Sequence, residues 1–228
     1  MTSRPPALIT IHGIRSDNST FDSLARECKS RLPDLPVWHI NYRRQGARWL
    51  LTRAIRELIT SRVAYKLSEA ALEFSNHTIT VVAHSWGTRA LHDALRDERL
   101  GFTIDRLVLL GSILDSWTNW NPLHARGMLV ERPLNIVRPF DLIVARSRFV
   151  GGGLSGTRGF SATDNFSPLN HFKRGGHNAY YPADVDDIFK VLTGEFRDSM
   201  ATTWHEFRRD LPPYKRAILR SLRLGRAC

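Results

Sequence analysis

Ser85 is the residue in this sequence best suited to act as a nucleophile. The β-branched run 78–82 leads into Ala83, and a segment with helical character, 89–95, begins shortly after Gly87. This order predicts a strand, a sharp turn that carries Ser85 and a helix, which together expose the serine Oγ at the end of a sheet. The turn, called the elbow (residues 83–87), forces close backbone contacts, so small side chains are expected at its positions 83 and 87.

A serine hydroxyl needs a base and an acid to become reactive at neutral pH. An imidazole takes its proton, and a carboxylate orients the imidazole and stabilises its charged form. On a strand–turn–helix scaffold of this kind the acid follows the serine in the chain and the histidine comes last. Asp141, just past the apolar run 134–137, is the predicted acid, with Asp115 as its main rival and Asp164 as a weaker one.

The predicted base is His177. It follows Gly175 and Gly176, and a flexible loop of this kind can swing an imidazole over the nucleophile. His171 is the alternative, although its neighbours give no comparable loop signature. His84 directly precedes the nucleophile, and its side chain is expected to point away from the base position as a packing or hydrogen-bonding support.

The reaction also needs two backbone N–H groups that face the oxygen on which negative charge develops. One is expected from Trp86, the residue after the nucleophile. The other is expected from the loop after the first strand, where the N–H of Ile14 is the choice. Gly13 permits tight backbone geometry in that loop, and His12 is expected to anchor it by hydrogen bonds. Gly87 supports the site by leaving room for the contacts of the elbow.

Strand-like and helix-like runs alternate along the chain, which is typical of βαβ units. The predicted strands cover 7–11, 37–42, 78–83, 106–110 and 134–137, and the predicted helices cover 21–31, about 47–74, 89–95, part of 119–130 and 184–192. This alternation indicates an α/β fold with a mostly parallel sheet and helices on both faces. Ligands on such sheets bind at the carboxyl ends of the strands, where His12, Ser85 and Asp141 fall. Segment 146–176 is glycine-rich and is predicted as loop, with room for a short strand near Phe160.

Length and composition are those of one globular domain, residues 1–228, that ends in a basic segment at about 212–228. The chain has 228 residues, of which 42% are hydrophobic, enough for a sizeable core. Its two cysteines form neither a disulfide framework nor a metal-ligand cluster. The sequence shows no secretory signal and no run near the roughly 18 apolar residues of a membrane span. A cytoplasmic location is expected, and export without a cleaved signal stays open.

The net charge of +11 comes mainly from arginine. Such an excess is typical of a solvated surface shaped by coding bias, or of attraction to an anionic partner. In 212–228, basic residues alternate with apolar ones, as in helices that lie on an anionic membrane surface and equally in terminal helices docked on the body. No recognisable nucleic-acid motif is present, so nucleic acid is not an expected partner.

Together these motifs resemble those of small lipases and esterases of the α/β-hydrolase family. The resemblance spans about residues 7–195 and rests on His12-Gly13-Ile14 after the first strand, the elbow, Asp141 after a later strand and Gly176-His177 near the end. Ala83 stands where the usual elbow has glycine, and some small bacterial lipases also have alanine there. The resemblance implies a catalytic triad of Ser85, Asp141 and His177, with no metal or organic cofactor.

The implied activity is hydrolysis of carboxylic esters, of the acyl or lipid type, through an acyl-enzyme intermediate. Segment 111–133 is the place for a cap, and its shortness predicts an open cleft. Trp117 and Trp120 in this segment either line the mouth of the site or belong to the core. The same scaffold also serves acyltransferases, and a non-catalytic module that binds an anionic partner is a further alternative.

Overall fold

In the part of the chain that the structure describes, six parallel strands form one sheet. The computed structural model describes residues 4–13, 19–42, 52–97, 101–147, 152–162, 165–177 and 183–221. The strands are β1 (Pro6–Ile11), β2 (Val37–Ile40), β3 (Thr78–His84), β4 (Arg106–Leu110), β5 (Leu134–Val137) and β6 (Leu169–Phe172). They lie in the order β2-β1-β3-β4-β5-β6, and each neighbouring pair is parallel.

Nine α-helices accompany the sheet in the described part of the chain. They are α1 (Ser19–Arg31), α2 (Arg53–Glu73), α3 (Trp86–Leu95), α4 (Asn121–Ala125), α5 (Leu142–Ser147), α6 (Ser155–Arg158), α7 (Val185–Thr193), α8 (Trp204–Arg209) and α9 (Pro213–Ser221). The start predicted for the second helix, near residue 47, lies outside the described residues.

The two faces of the sheet are covered by different helices. Successive side chains of a strand point to opposite faces, and β3 shows the result. Val81 and Ala83 pack in a core with residues of α2 and α3, whereas Val82 packs in a second core with residues of α1 and α7. The predicted α/β fold, with a parallel sheet and helices on both faces, is confirmed.

Segment 146–176 holds more regular structure than its glycine content predicts. The edge strand β6 and helix α6 were not predicted, and the described residues around Phe160 form no strand. The side chain of Asn170 takes the place of strand pairing there, because it accepts from the Phe160 N–H at 2.8 Å and donates to the Phe160 carbonyl at 2.7 Å. Two of the four residues of β6, Asn170 and His171, are polar. The segment therefore lacks the hydrophobic pattern from which a strand is predicted.

The basic C-terminal segment begins as a docked helix. Leu219 of α9 is buried and packs in a small cluster with Val137, Phe172 and Phe207. Residues 222–228 lie outside the described residues, so contact of this segment with an anionic membrane surface stays a prediction. Within the described ranges, no helix combines the length and apolar character needed to cross a membrane. The cytoplasmic location also stays a prediction.

Candidate active site

The elbow holds Ser85 in a strained backbone conformation between β3 and α3. Its φ of 53° and ψ of −122° make it the one non-glycine residue with positive φ among the described residues. L-residues adopt this conformation only when their surroundings enforce it. Here the Ser85 N–H donates to the Leu110 carbonyl at 2.8 Å, and the Thr88 hydroxyl donates to the Ser85 carbonyl at 2.7 Å. Both ends of the Ser85 peptide unit are therefore fixed.

Two glycines let the loop after β1 pack against the elbow. A Cβ on Gly87 would lie 2.6 Å from the His12 carbonyl oxygen and 2.7 Å from that of Ile11. A Cβ on Gly13 would lie 2.9 Å from the Cβ of Ser85. Real Cβ atoms essentially never come within 3.0 Å of such neighbours, so a side chain at either position would force the loop or the elbow to move. The first strand and the elbow meet where β1 and β3 end.

His12 lies under this loop, and Tyr42 holds it by contacts that the sequence did not reveal. The His12 Nδ1–H donates to the Gly13 carbonyl at 2.6 Å, and the Tyr42 hydroxyl donates to the His12 carbonyl at 2.6 Å. The rings of His12 and Tyr42 stack with centroids 4.3 Å apart. Burial raises the pKa of Tyr42, so it stays a hydroxyl donor. Tyr42 comes just after β2, which pairs with β1, and that adjacency is the signal that could have found it.

The candidate oxyanion donors are only partly described. Trp86 is the first residue of α3, and the first N–H groups of a helix have no acceptor within the helix. Such groups, with the helix dipole, favour a negatively charged oxygen nearby. Ile14 lies outside the described residues, so its assigned role stays a prediction.

Asp141 and His177 are brought together from two separate loops. The His177 Nδ1–H donates to Asp141 Oδ2 at 2.8 Å. The other carboxylate oxygen accepts from the backbone N–H groups of Ile143 and Val144 at 3.1 and 3.0 Å, at the start of α5. Asp141 has no exposed surface, and the His177 side chain is 11% exposed. With Nδ1 carrying the proton, a neutral His177 ring has its lone pair on Nε2, the nitrogen that a general base would use.

His84 links this pair to the elbow, contrary to the sequence-based expectation. Its ring lies 4.6 Å from that of His177, between centroids, so the expectation that its side chain points away from the base is wrong. Burial, with lesser contributions from His177 and His12, lowers the pKa of His84 well below its ordinary value. A neutral imidazole therefore packs beside His177. His84 immediately precedes Ser85 in the chain, so the His177 ring packs on the residue that leads into the elbow turn.

The rival residues have other surroundings. His171 accepts from the Thr202 N–H at 2.8 Å, and its Nε2 lies 3.3 Å from Asp187 Oδ2. Both of its ring nitrogens are thus engaged at the β6 edge. Asp115 is exposed and lines a surface groove with Arg89 on α3. Asp164 lies outside the described residues.

A buried charge network joins the loops of Asp141 and His177, and sequence reasoning missed it. The Arg138 guanidinium binds both Asp184 oxygens, at 2.8 and 2.7 Å, and both side chains are almost fully buried. Lys173 binds Asp184 at 2.8 Å and Asp187 at 2.6 Å. Burial opposes the charge on Lys173, but these two hydrogen bonds hold its pKa above its ordinary value.

The Arg138–Asp184–Lys173 network is connected to the loops that carry Asp141 and His177. The Asp141 N–H donates to the Arg138 carbonyl at 2.9 Å, and the Lys173 N–H donates to the Val137 carbonyl at 2.9 Å. Arg138 is three residues before the acid, and Lys173 is four residues before the histidine. Both charges converge on Asp184, the residue before α7. The network therefore ties the acid loop, the histidine loop and the start of α7 to one another.

Apolar side chains lie exposed beside the acid. Leu142 and Ile143, which follow Asp141 directly, are 62% and 54% exposed. In the short segment 111–133, Trp117 is 68% exposed, whereas Trp120 is fully buried and contacts Phe160 edge to face. Of the two tryptophans, Trp120 is a core residue and Trp117 is available at the surface.

Known structures show the same arrangement of strands and helices. No protein-family model matches the sequence, and no curated protein matches it. TT1662 from Thermus thermophilus superposes with a TM-score of 0.55 at 14% identity, over 86% of this chain and 91% of that one. A putative cell surface hydrolase from Lactobacillus plantarum gives 0.52 at 13% identity, over 91% and 97% of the two chains. An extracellular α/β-hydrolase from a Paenibacillus species gives 0.50 at 10% identity, over 85% and 100%.

Proposed function

The chain has the α/β-hydrolase fold, and we propose that it is a serine hydrolase of carboxylic esters, with Ser85, His177 and Asp141 as its catalytic triad. The observation that carries the proposal is the 2.8 Å contact between His177 and Asp141. The imidazole of His177 packs on His84, the residue before the strained turn at Ser85. Catalysis by a nucleophilic serine requires a histidine that takes the serine proton and a carboxylate that orients the histidine.

The proposed reaction begins with attack of Ser85 Oγ on the ester carbonyl. His177 Nε2 takes the hydroxyl proton, and the buried Asp141 carboxylate stabilises the imidazolium that forms. The carbonyl oxygen becomes an oxyanion held by the N–H groups of Trp86 and Ile14. His177 then gives its proton to the departing alkoxide, which leaves as alcohol. Water, activated by His177 in the same way, releases the acid from the acyl-enzyme.

The surface beside Asp141 favours an apolar acyl group. Leu142 and Ile143 expose apolar surface directly after the acid, and Trp117 adds an exposed aromatic ring in segment 111–133. Apolar contact with an acyl chain stabilises its complex by about 0.8 kcal/mol for each CH₂ that is buried. Acyl or lipid esters are therefore the proposed substrates, and activity is expected to rise with chain length.

Chromogenic acyl esters of increasing length test the proposal, with Ser85→Ala as the inactive variant. Loss of the nucleophile is expected to lower kcat by roughly 10⁴- to 10⁶-fold, by analogy with other serine triads. Ser30→Ala, on the exposed side of α1, is the matched control and should keep full activity. Undiminished hydrolysis by Ser85→Ala would refute the assignment of the nucleophile.

Transfer of the acyl group to an alcohol, instead of to water, would use the same catalytic residues as hydrolysis. Product analysis with and without an added alcohol acceptor separates the two, because an acyltransferase gives the new ester in preference to the free acid. The proposal of hydrolysis predicts free acid as the main product.

A further inference from the structure

Helix α2 exposes three large apolar side chains along one line. Leu58, Tyr65 and Leu72 are 48%, 63% and 78% exposed. They are seven residues apart, which is two helical turns, so they lie on one face. The opposite face is buried in the core and includes Ile59, Val63, Ala64, Leu67 and Ala70. Single exposed apolar residues are ordinary, but these three lie in register on one helix and form a stripe that no other element covers within the described residues.

Small residues alternate with the large ones on this face. Ser61 and Ser68 stand three residues after Leu58 and Tyr65, and Ser75 stands three residues after Leu72. The outer stripe of α2 is defined here as 58, 61, 65, 68 and 72. Its spacing of three and four residues is the pattern by which paired helices fit knobs into holes. Small residues between the large ones let a second helix approach closely.

We propose that the outer stripe of α2 is the contact surface of a homodimer, in which two α2 helices pack antiparallel about a two-fold axis at Tyr65. The stripe is symmetric about that residue, since Leu58 lies seven residues before it and Leu72 seven after it. In the antiparallel pair, Leu58 of one copy therefore faces Leu72 of the other. Two-fold dimers use one self-complementary patch on both copies, and this stripe has that property.

The charges beside the stripe favour the antiparallel arrangement. Arg62 and Glu69 are two turns apart on the same edge of the stripe, on opposite sides of Tyr65. Antiparallel packing brings Arg62 of each copy to Glu69 of the other, whereas in parallel packing the two edges lie on opposite sides of the seam and these residues do not meet. Within the described residues Glu69 contacts Lys66 at 2.6 Å and accepts a hydrogen bond from the Tyr65 hydroxyl, whereas Arg62 has no ion pair. Antiparallel packing therefore gives Arg62 an acidic partner and adds a second cation beside Glu69. Glu57, also near the stripe, is paired with Arg53 of its own helix at 2.6 Å.

A groove continues the surface at the C-terminal end of the stripe. It has a volume of about 420 Å³ and is lined in part by Ser68, Leu72, Ser75 and Phe102. The proposed arrangement lays Leu58 of the second copy over this groove, and symmetry repeats the contact at the other end. An anionic lipid surface is a poorer fit, because the three carboxylates of Glu57, Glu69 and Glu73 outnumber the cations of Arg62 and Lys66 beside the stripe.

Sedimentation velocity over a range of micromolar concentrations tests the dimer. The wild-type chain is expected to show a reversible monomer–dimer equilibrium. Tyr65→Arg should raise the dissociation constant by about tenfold or more, because it buries like charges at the centre of the interface. Tyr214→Arg, at a residue 64% exposed on α9, is the matched control and should dimerise as the wild type does. A wild-type monomer at every concentration, or an unchanged Tyr65→Arg dimer, would overturn the proposal.

Charge reversal tests the antiparallel register. Arg62→Glu and Glu69→Arg should each weaken self-association, since each homodimer then contains two like-charged contacts. An equimolar mixture of the two variants should form a heterodimer, in which both contacts are again between opposite charges. A mixture that associates no better than the single variants would refute this register. Binding of monomeric wild-type protein to anionic vesicles, lost in Tyr65→Glu, would assign the stripe to lipid instead.

Discussion

The two halves of the candidate site are held in place by different forces. On the nucleophile side, steric fit dominates: Ser85 has positive φ, and Gly87 and Gly13 leave no room for a methyl group. On the acid–base side, charge and hydrogen bonding dominate. Asp141 accepts three hydrogen bonds, and the loops around it meet at Asp184.

The two sides of the site should therefore lose function in different ways. A sterically built turn is intolerant of added volume but indifferent to pH and salt. A loop pair held by ions should lose function in steps, as each charge is removed.

The largest effect after loss of Ser85 is expected from Asp141→Asn. The amide keeps an oxygen for the Ile143 and Val144 N–H groups, so the fold should persist, but it cannot stabilise an imidazolium. We expect kcat to fall by about 10³- to 10⁴-fold with little change in melting temperature. Ester hydrolysis and thermal denaturation of the same preparation measure both. If Asp141→Asn keeps wild-type kcat, Asp141 is not the triad acid.

Gly87→Ala should displace the Ser85 turn because the added methyl group has no space. Its Cβ would meet the carbonyl oxygens of Ile11 and His12, which belong to β1 and its loop and cannot turn aside. Overpacking costs about 1–3 kcal/mol of stability, and displacement of Ser85 by about 1 Å would cost roughly 10²-fold in kcat. Gly101→Ala is the control, because nothing lies within 4 Å of its Cβ. Equal activity of the two variants would contradict the steric account.

Lys173→Met should weaken the acid–base side without destroying it. Arg138 still neutralises Asp184, so we expect a loss of about 1–3 kcal/mol in stability. We expect kcat to fall about tenfold, roughly 1.4 kcal/mol in activation free energy, with KM nearly unchanged because Lys173 does not touch substrate. Lys173→Arg should restore most of kcat, and the exposed Lys29→Met should have no effect. A change in KM alone, or no rescue by arginine, would contradict a positioning role.

The smallest effect concerns pH and His84. Its folded-state pKa lies below its ordinary value of 6.5. Below that pH the His84 imidazole is protonated in the unfolded chain but stays neutral in the folded one. Stability therefore falls as the pH drops below about 6.5, by at most about 1.4 kcal/mol per pH unit. His84→Asn should flatten the decline of the unfolding free energy between neutral pH and pH about 5, whereas the exposed His205→Asn should not. Parallel declines in wild type and His84→Asn would refute the assignment.

Sequence reasoning succeeded where the signal is local. The elbow is a continuous pattern of strand, small residue, serine and glycine, and the parallel α/β fold follows from repeated alternation. Contacts between distant segments were harder to foresee. The Arg138–Asp184 pair joins residues 46 positions apart, and no spacing rule predicts it. The His84 orientation was wrong because its ring packs on His177, a residue from another loop.

Covalent labelling with a fluorophosphonate probe, followed by mapping of the modified peptide, tests the central claim most directly. Such a probe reacts with a serine only when a neighbouring base activates it. The account predicts one label per chain, located on Ser85, absent in Ser85→Ala and strongly slowed in Asp141→Asn. Folded wild-type protein that takes no label on Ser85, or that labels equally well after Ser85→Ala, would contradict it.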